Sequence, residues 1–223
     1  MATGIPRNRF CTSGILFLTL IANGVSSMAA NLPDPAIDIP AGDTRGKQQA
    51  VLAGGCFWCT EAVFEQIAGV EKVVAGYSGG DKVSAHYEMV SRGTTGHAES
   101  IQITFDPAKV TYGQLLKIFF EVAHDPTQLN RQGPDHGPQY RSAIFYSDAG
   151  QRRVAEAYIK QLEQAKVFKK PIVTEVAELK AFYPAEEHHQ NFCQRNPNNP
   201  YVMFNAAPKV EKTQKEFPGL VKK

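Results

Sequence analysis

Cysteine is scarce in this chain, with 4 in 223 residues. That is far below the density of small exported domains held together by disulfides, so the fold must rest on a hydrophobic core. Charge of either sign is nearly balanced, and a net charge of +2 supplies no field to steer nucleic acid or an anionic membrane. Internal repeats and low-complexity tracts are absent, which excludes a solenoid or a disordered array. Beyond the first thirty residues no apolar run approaches the roughly twenty residues that cross a bilayer. What remains is ordinary globular composition, 43% hydrophobic and 21% charged, with length enough for one well-packed domain.

The two ends differ from the middle. Arg7 and Arg9 precede the uncharged run CTSGILFLTLIANGV, and SSMAAN follows with small residues. A basic start, a short apolar run and a small-residue end form the pattern of a cleaved export signal over residues 1–30. Cleavage after Ala29 or Ala30 would send the mature chain to the periplasm without stable membrane association. An uncleaved N-terminal anchor is the alternative. Cys11 leaves with the leader, and the mature chain keeps Cys56, Cys59 and Cys193. An odd number leaves at least one thiol to be explained by reactivity, not architecture. Residues 31–47, rich in proline and glycine, read as a linker or extended arm, residues 48–208 as the catalytic domain. Residues 209–223, lysine-rich but interleaved with glutamate, read as a solvated helix or tail.

Within the domain, strands and helices alternate. QQAVLA is a strand that ends at Gly54-Gly55, and helical spacing follows from Phe57; VEKVVAGY is a second strand. HAESIQITFD alternates, with Ile101, Ile103 and Phe105 on one face. Thr111 and Asp148 are N-caps for two further helices, SAIFYS and PIVTEVAEL are strands, and PAEEHHQNFCQR reads as a last helix. The loop HDPTQLNRQGPDHGPQYR is long enough to suggest function. Some consecutive strands lack a crossover helix. The expected architecture is therefore α+β, a two-layer sandwich with a mixed β-sheet and helices packed on it.

The stretch VLAGGCFWCTEAVF holds the chemistry. Cys56 sits where a strand becomes a helix, and unpaired N–H groups there can lower a thiol pKa and make it a nucleophile. Cys59, three residues on, lies on the same helix face and can close a disulfide with it. Buried packing is the bland reading of this Cys-Phe-Trp-Cys run. The spacing alone also admits thiol–disulfide exchange at Cys56/Cys59, or a redox-sensing or metal-binding module with Cys193, His188 and His189. Glu99, Tyr87, Asp135, His136 and Tyr140 stand out among the polar residues. Taken singly, each is explained by a strand end, core packing or a turn.

Together the segments GCFWCTEAVF, GYSGG, TTGHAESIQITFDP, HDPTQLNRQGPDHGPQYRSAIFY and FYPAEEHHQNF, in this order, resemble the peptide methionine sulfoxide reductase A family. The resemblance spans about Val51 to Tyr201. It implies a ferredoxin-like α+β core and reduction of methionine-S-sulfoxide, free or in proteins, with no metal or organic cofactor. Carried onto this chain, it makes Cys56 the nucleophile and Glu99 the acid beside the sulfoxide oxygen. Tyr87 and Tyr140 become hydrogen-bond donors to that oxygen, Phe57 and Trp58 the wall that receives the S-methyl group, and Asp135 a contact to the substrate backbone. The product on Cys56 is a sulfenic acid. A neighbouring thiol would close a disulfide, which a thioredoxin-like reductant would reopen. Many members resolve with a cysteine in the C-terminal tail, and the motif is commonly GCFWG. Here the motif is GCFWC, and no cysteine follows Cys193. Cys59 is therefore the first candidate for resolution, Cys193 the second, and direct reduction of the sulfenic acid by an external thiol the third. A monomer with no nucleic-acid partner is expected.

Overall fold

The computed structural model describes Met1 and residues 32–40 and 46–223. Apart from Met1, the leader read in residues 1–30, Cys11 included, lies outside the described residues. In chain order the elements are β1 (Gln48–Gly54), α1 (Phe57–Glu65), β2 (Val70–Ser78), α2 (Tyr87–Val90), β3 (Ala98–Phe105) and α3 (Tyr112–Ile118). Then come the two-residue strands β4 (Arg131–Gln132) and β5 (Asp135–His136), followed by β6 (Ser142–Tyr146), α4 (Ala149–Gln164), β7 (Glu175–Glu178), β8 (Phe182–Pro184), α5 (Phe192–Arg195) and α6 (Ala207–Glu216).

Six strands form one sheet in the order β7-β6-β1-β3-β2-β8. All neighbours are antiparallel except β6 and β7. The mixed α+β architecture read from the sequence is the one found. β3 runs through the middle, and its alternation decides which side chains enter the core. Ile101, Ile103 and Phe105 are buried on one face, and the two-residue period places Glu99 on that same face. The register sets Glu99 opposite Tyr77 of β2. A carboxyl is thus carried into the interior by the same periodicity that buries the isoleucines.

The main core lies between this face and helices α1, α3 and α4, with Phe64, Ile67, Leu115, Leu116, Phe119, Phe120 and Tyr158 buried in it. α3 begins at a capping box in which Thr111 accepts from Gln114 N–H and the Gln114 side chain accepts from Thr111 N–H. Residues 32–40 lie along α3 and α4. The Tyr158 hydroxyl donates to Pro33 C=O at 2.9 Å, and Asp38 accepts from Gly113 N–H at 2.9 Å.

Two expectations change. Residues 184–195 do not form one helix: Pro184 ends β8, a 3₁₀ turn covers Glu187–His189, and α5 is a single turn. Gly76 makes this possible, because a Cβ there would collide with the Phe182 ring and the Tyr183 carbonyl where β8 crosses β2. Residues 209–223, read as a solvated helix or tail, are helical as far as Glu216 but are docked, not free. They continue α6 over α1, Phe217 joins the main core, and Ile67 and Val221 form a β-bridge. Lysines mislead here because the stems lie along the protein while the ammonium groups of Lys209 and Lys212 cap the carbonyls of Ala123 and Glu121.

The β1–α1 junction turns at Gly55, whose φ is +86°. An added Cβ would run into the Gln132 side chain, which holds Asp125 N–H and C=O in the neighbouring loop. Gly55→Ala should therefore cost on the order of 2 kcal/mol in urea unfolding.

Candidate active site

Cys56 is the N-cap of α1, and its carbonyl accepts from Cys59 N–H at 3.1 Å and Thr60 N–H at 3.3 Å. The first free donor of the helix, Phe57 N–H, is satisfied from another strand by Glu99 Oε2 at 3.1 Å. One hydrogen bond thereby ties the acid on β3 to the turn that carries the thiol. It also occupies one carboxyl oxygen and leaves the other to hold a proton.

These two groups line a cavity of about 200 Å³ together with Phe57, Trp58, Tyr87, Asp135, Tyr140 and Tyr201. Seven of its eight lining residues are the nucleophile, acid, phenol, wall and substrate-contact positions named from the sequence. The eighth, Tyr201, was missed, although it lies in the NPYVMF segment at the end of the resemblance. Its hydroxyl donates to Asp135 Oδ2 at 2.5 Å, so the turn leading into α6 closes the cavity against the β4–β5 hairpin.

Aromatic packing sets the wall. Trp58 stacks on Phe192 at 3.8 Å with the rings 10° apart, and Tyr201 meets its edge at 6.0 Å. Trp58 Nε1 donates to His189 Nδ1 at 3.2 Å. The His189 ring also packs against Phe57 at 5.2 Å and Tyr87 at 4.4 Å. His189, named from the sequence only as a metal-ligand candidate, thus holds three cavity residues at once. Glu186 does the same for Tyr87, accepting its N–H at 2.9 Å through one oxygen and the Tyr77 hydroxyl at 2.9 Å through the other. Folding carries these partners about a hundred residues or more back to the nucleophile's neighbourhood.

Electrostatics in the cavity favour protons. Glu99, 3% exposed, is held well above the usual carboxylate range by burial and by the neighbouring Cys56, with the Phe57 N–H opposing. It is an acid that keeps its proton to higher pH than an exposed carboxyl does. Burial also raises Tyr87 and Tyr140, so both remain donors. The expectation of a depressed Cys56 pKa is reversed. Burial pushes its thiol well up, and contact with Cys59 adds to this. The helix N-terminus does not compensate, because water has been removed from the same place. Cys59 moves the other way, lowered first by its hydrogen bond with Cys56.

Cys193 of α5 packs against Cys56, Cys59 and Trp58 in one cluster beside α1. Its thiol donates to Trp58 C=O at 3.3 Å, and burial pushes its pKa up to about 12. All three described cysteines are free. Among the described residues, no group of three or more His, Cys, Asp or Glu side chains is arranged to hold a metal ion. His189, a ligand candidate in the metal-binding alternative, is committed to Trp58. A larger, open groove of about 740 Å³ between residues 120–131 and 167–170 contains no thiol.

The family model described as peptide methionine sulfoxide reductase matches residues 48–219. The chain belongs to the peptide methionine sulfoxide reductase family. Peptide methionine sulfoxide reductase MsrA 2 of Synechocystis is 54% identical over 200 residues, covering 89% of this chain and 94% of the relative. The MsrA of a Thermus thermophilus strain is 51% identical over 173 residues, 78% of this chain and 97% of the relative. Among solved structures, reduced Mxr1 of Saccharomyces cerevisiae is similar with a TM-score of 0.62 and 32% identity, over 69% of this chain and 87% of that one. Methionine sulfoxide reductase A of Corynebacterium diphtheriae gives 0.61 and 32%, over 75% and 85%. Thiol–disulfide exchange at Cys56/Cys59 is the weaker alternative. The family match and the relatives favour sulfoxide reduction as the activity of the pair.

Glu61 on α1 supplies a test of how the site is held. It is buried, its Oε1 has no partner, and backbone N–H groups of Asn191 and Phe192 approach its carboxylate. Burial raises its pKa from 4.5 to about 7. A carboxyl raised in the folded state contributes stability below pH 4.5 that is lost as pH climbs through about 7. Thermal melts should show stability falling across that window, and Glu61→Gln should flatten the slope.

Proposed function

We propose that this methionine sulfoxide reductase acts on the S-epimer, free or within oxidised proteins, with Cys56 as nucleophile and Glu99 as proton donor. The observation that carries the reading is the cavity where a buried thiol, a protonated carboxyl and two phenols meet beside a Phe-Trp wall. A sulfoxide has a positive sulfur and a negative oxygen, and the oxygen leaves only if it is protonated. Cys56 sulfur attacks the sulfoxide sulfur while Glu99 transfers its proton to the oxygen, and the ionised Glu99 takes up the thiol proton. The S–O bond then breaks, the oxygen leaving as water on a second Glu99 proton, and a water attacks the Cys56 sulfur of the resulting thiosulfonium link, displacing methionine and returning a proton to Glu99, so that Cys56 is left as the sulfenic acid. Tyr87 and Tyr140 hold the oxygen as negative charge gathers on it. Phe57 and Trp58 receive the methyl group, which selects one configuration at sulfur. Asp135, already engaged by Tyr201, accepts from the substrate's backbone N–H.

The raised Cys56 pKa suits this order of events. In the empty cavity the thiol keeps its proton, and it is drawn into reaction only when a polarised sulfur and a proton acceptor arrive together. Cys59 resolves the sulfenic acid, because it lines the same small cavity as Cys56, whereas Cys193 lines neither cavity and its thiol donates to Trp58 C=O. A thioredoxin-like dithiol restores the pair. The leader pattern in residues 1–30 supports a cycle that runs outside the cytoplasm.

Stopped assays with separated diastereomers should show consumption of the S-epimer alone, and turnover of the R-epimer instead would overturn the stereochemical reading. Cys56→Ala should abolish turnover. Glu99→Gln should lower the rate of methionine formation by about a hundredfold or more. The wild-type rate should fall as pH rises past the elevated Glu99 pKa, a limb the Gln variant lacks.

A further inference from the structure

The proposed chemistry has two halves with opposite electrostatic needs. Sulfoxide reduction needs a proton at oxygen, and resolution needs a negative charge on sulfur. A second, smaller cavity of about 70 Å³ meets the substrate cavity at Cys56, Asp135 and Tyr201. It holds no glutamate. It is reached by Cys59 and by a single cation, Lys209 of α6.

Lys209 is fixed there by the fold. Its ammonium donates to Ala123 C=O at 2.7 Å, at the end of the π-helical turn that follows α3. It forms no ion pair among the described residues, so its charge is not spent on a carboxylate. The groups that face Cys59 are the Cys56 thiol, Lys209, the Cys193 thiol and the Tyr201 hydroxyl, with Asp135 on the wall of the same cavity.

We propose that Lys209 is a positioning residue for the second half of the reaction, holding Cys59 as the thiolate that attacks the Cys56 sulfenic acid. The inference rests on Cys59 being the resolving cysteine. In this step the Cys59 sulfur forms a bond to the Cys56 sulfur, and the Cys56 S–O bond breaks. The oxygen departs as hydroxide and takes a proton to become water. Cys59 sulfur is oxidised and Cys56 sulfur reduced to the disulfide level, so no outside oxidant is needed.

The hydrogen bond with Cys56 and the Lys209 charge lower the Cys59 pKa, while burial and the Cys193 thiol oppose. The Cys56 thiol donor disappears when that sulfur is oxidised. The Lys209 charge persists through the oxidation, which is when the Cys59 thiolate is required.

The experiment is a single turnover of the full chain with methionine-S-sulfoxide and no reductant, quenched over time. Sulfenic acid is trapped with dimedone, and disulfides are mapped by mass spectrometry across a pH series. Wild type should give a Cys56–Cys59 disulfide. Lys209→Met should form it about tenfold more slowly at neutral pH, accumulate trapped Cys56 sulfenic acid, and move the pH profile of disulfide formation upward by about one unit. Lys209→Arg should restore both rate and profile. Lys209→Gln, which retains a donor for the Ala123 carbonyl, should not. An unchanged rate in Lys209→Met, or a slower rate with an unmoved pH profile, would overturn the role of the charge. A wild-type Cys56–Cys193 disulfide would instead overturn the Cys59 reading, and the Lys209 role with it.

Discussion

The hydrogen bond from Phe57 N–H to Glu99 is the constraint on which the site depends. A helix N-terminus leaves donors without partners, and here one of them is claimed by a carboxyl from the middle strand of the sheet. The bond sets the acid against the nucleophile's turn with the accuracy of backbone geometry. Burial makes the carboxyl hold its proton more firmly than an exposed one, so it can accept that N–H with one oxygen and carry a proton on the other. Shifting β3 by one residue would send Glu99 to the opposite face with Ser100 in its place. The register of the sheet is therefore part of the catalytic apparatus.

Around that bond the protein assembles a dry, aromatic chamber whose residues come from distant parts of the chain. Tyr87 is held by Glu186, Trp58 by His189 and Phe192, and Asp135 by Tyr201. The C-terminal third contributes little to the sheet beyond the edge strands β7 and β8. Its larger role is to fold back over α1 and fix the positions of groups supplied earlier. Burial acts twice in this cavity, raising the pKa of both the Glu99 carboxyl and the Cys56 thiol. On the far side of the Tyr201–Asp135 contact the same nucleophile meets a cation instead of an acid.

Much of the fold was legible because its elements obey local rules. The alternation of β3, the caps at Thr111 and Asp148 and the glycine turn before Cys56 all follow from short-range periodicity and turn chemistry. Residues 184–195 were misread because the helical spacing of EEHHQNFC is overridden by pairing of Phe182–Pro184 with β2, which requires Gly76 to lack a side chain. The C-terminal run was legible as a helix but not as a docked one, because its lysines bond to carbonyls from another segment, a partner that no local pattern announces.

The sequence by itself determined the chemistry available: a thiol at a strand-to-helix turn, an acid in a core-facing strand position, and aromatics adjacent to the thiol. Those follow from residue type and spacing along a few consecutive positions. Tertiary structure alone decided the protonation states and the partners. The sign of the Cys56 shift depends on how much water its neighbours exclude, and the roles of His189, Tyr201 and Lys209 depend on which carbonyls, carboxylates and rings they meet after folding. Desolvation and long-range contact are properties of the packed molecule, and no stretch of chain carries them alone.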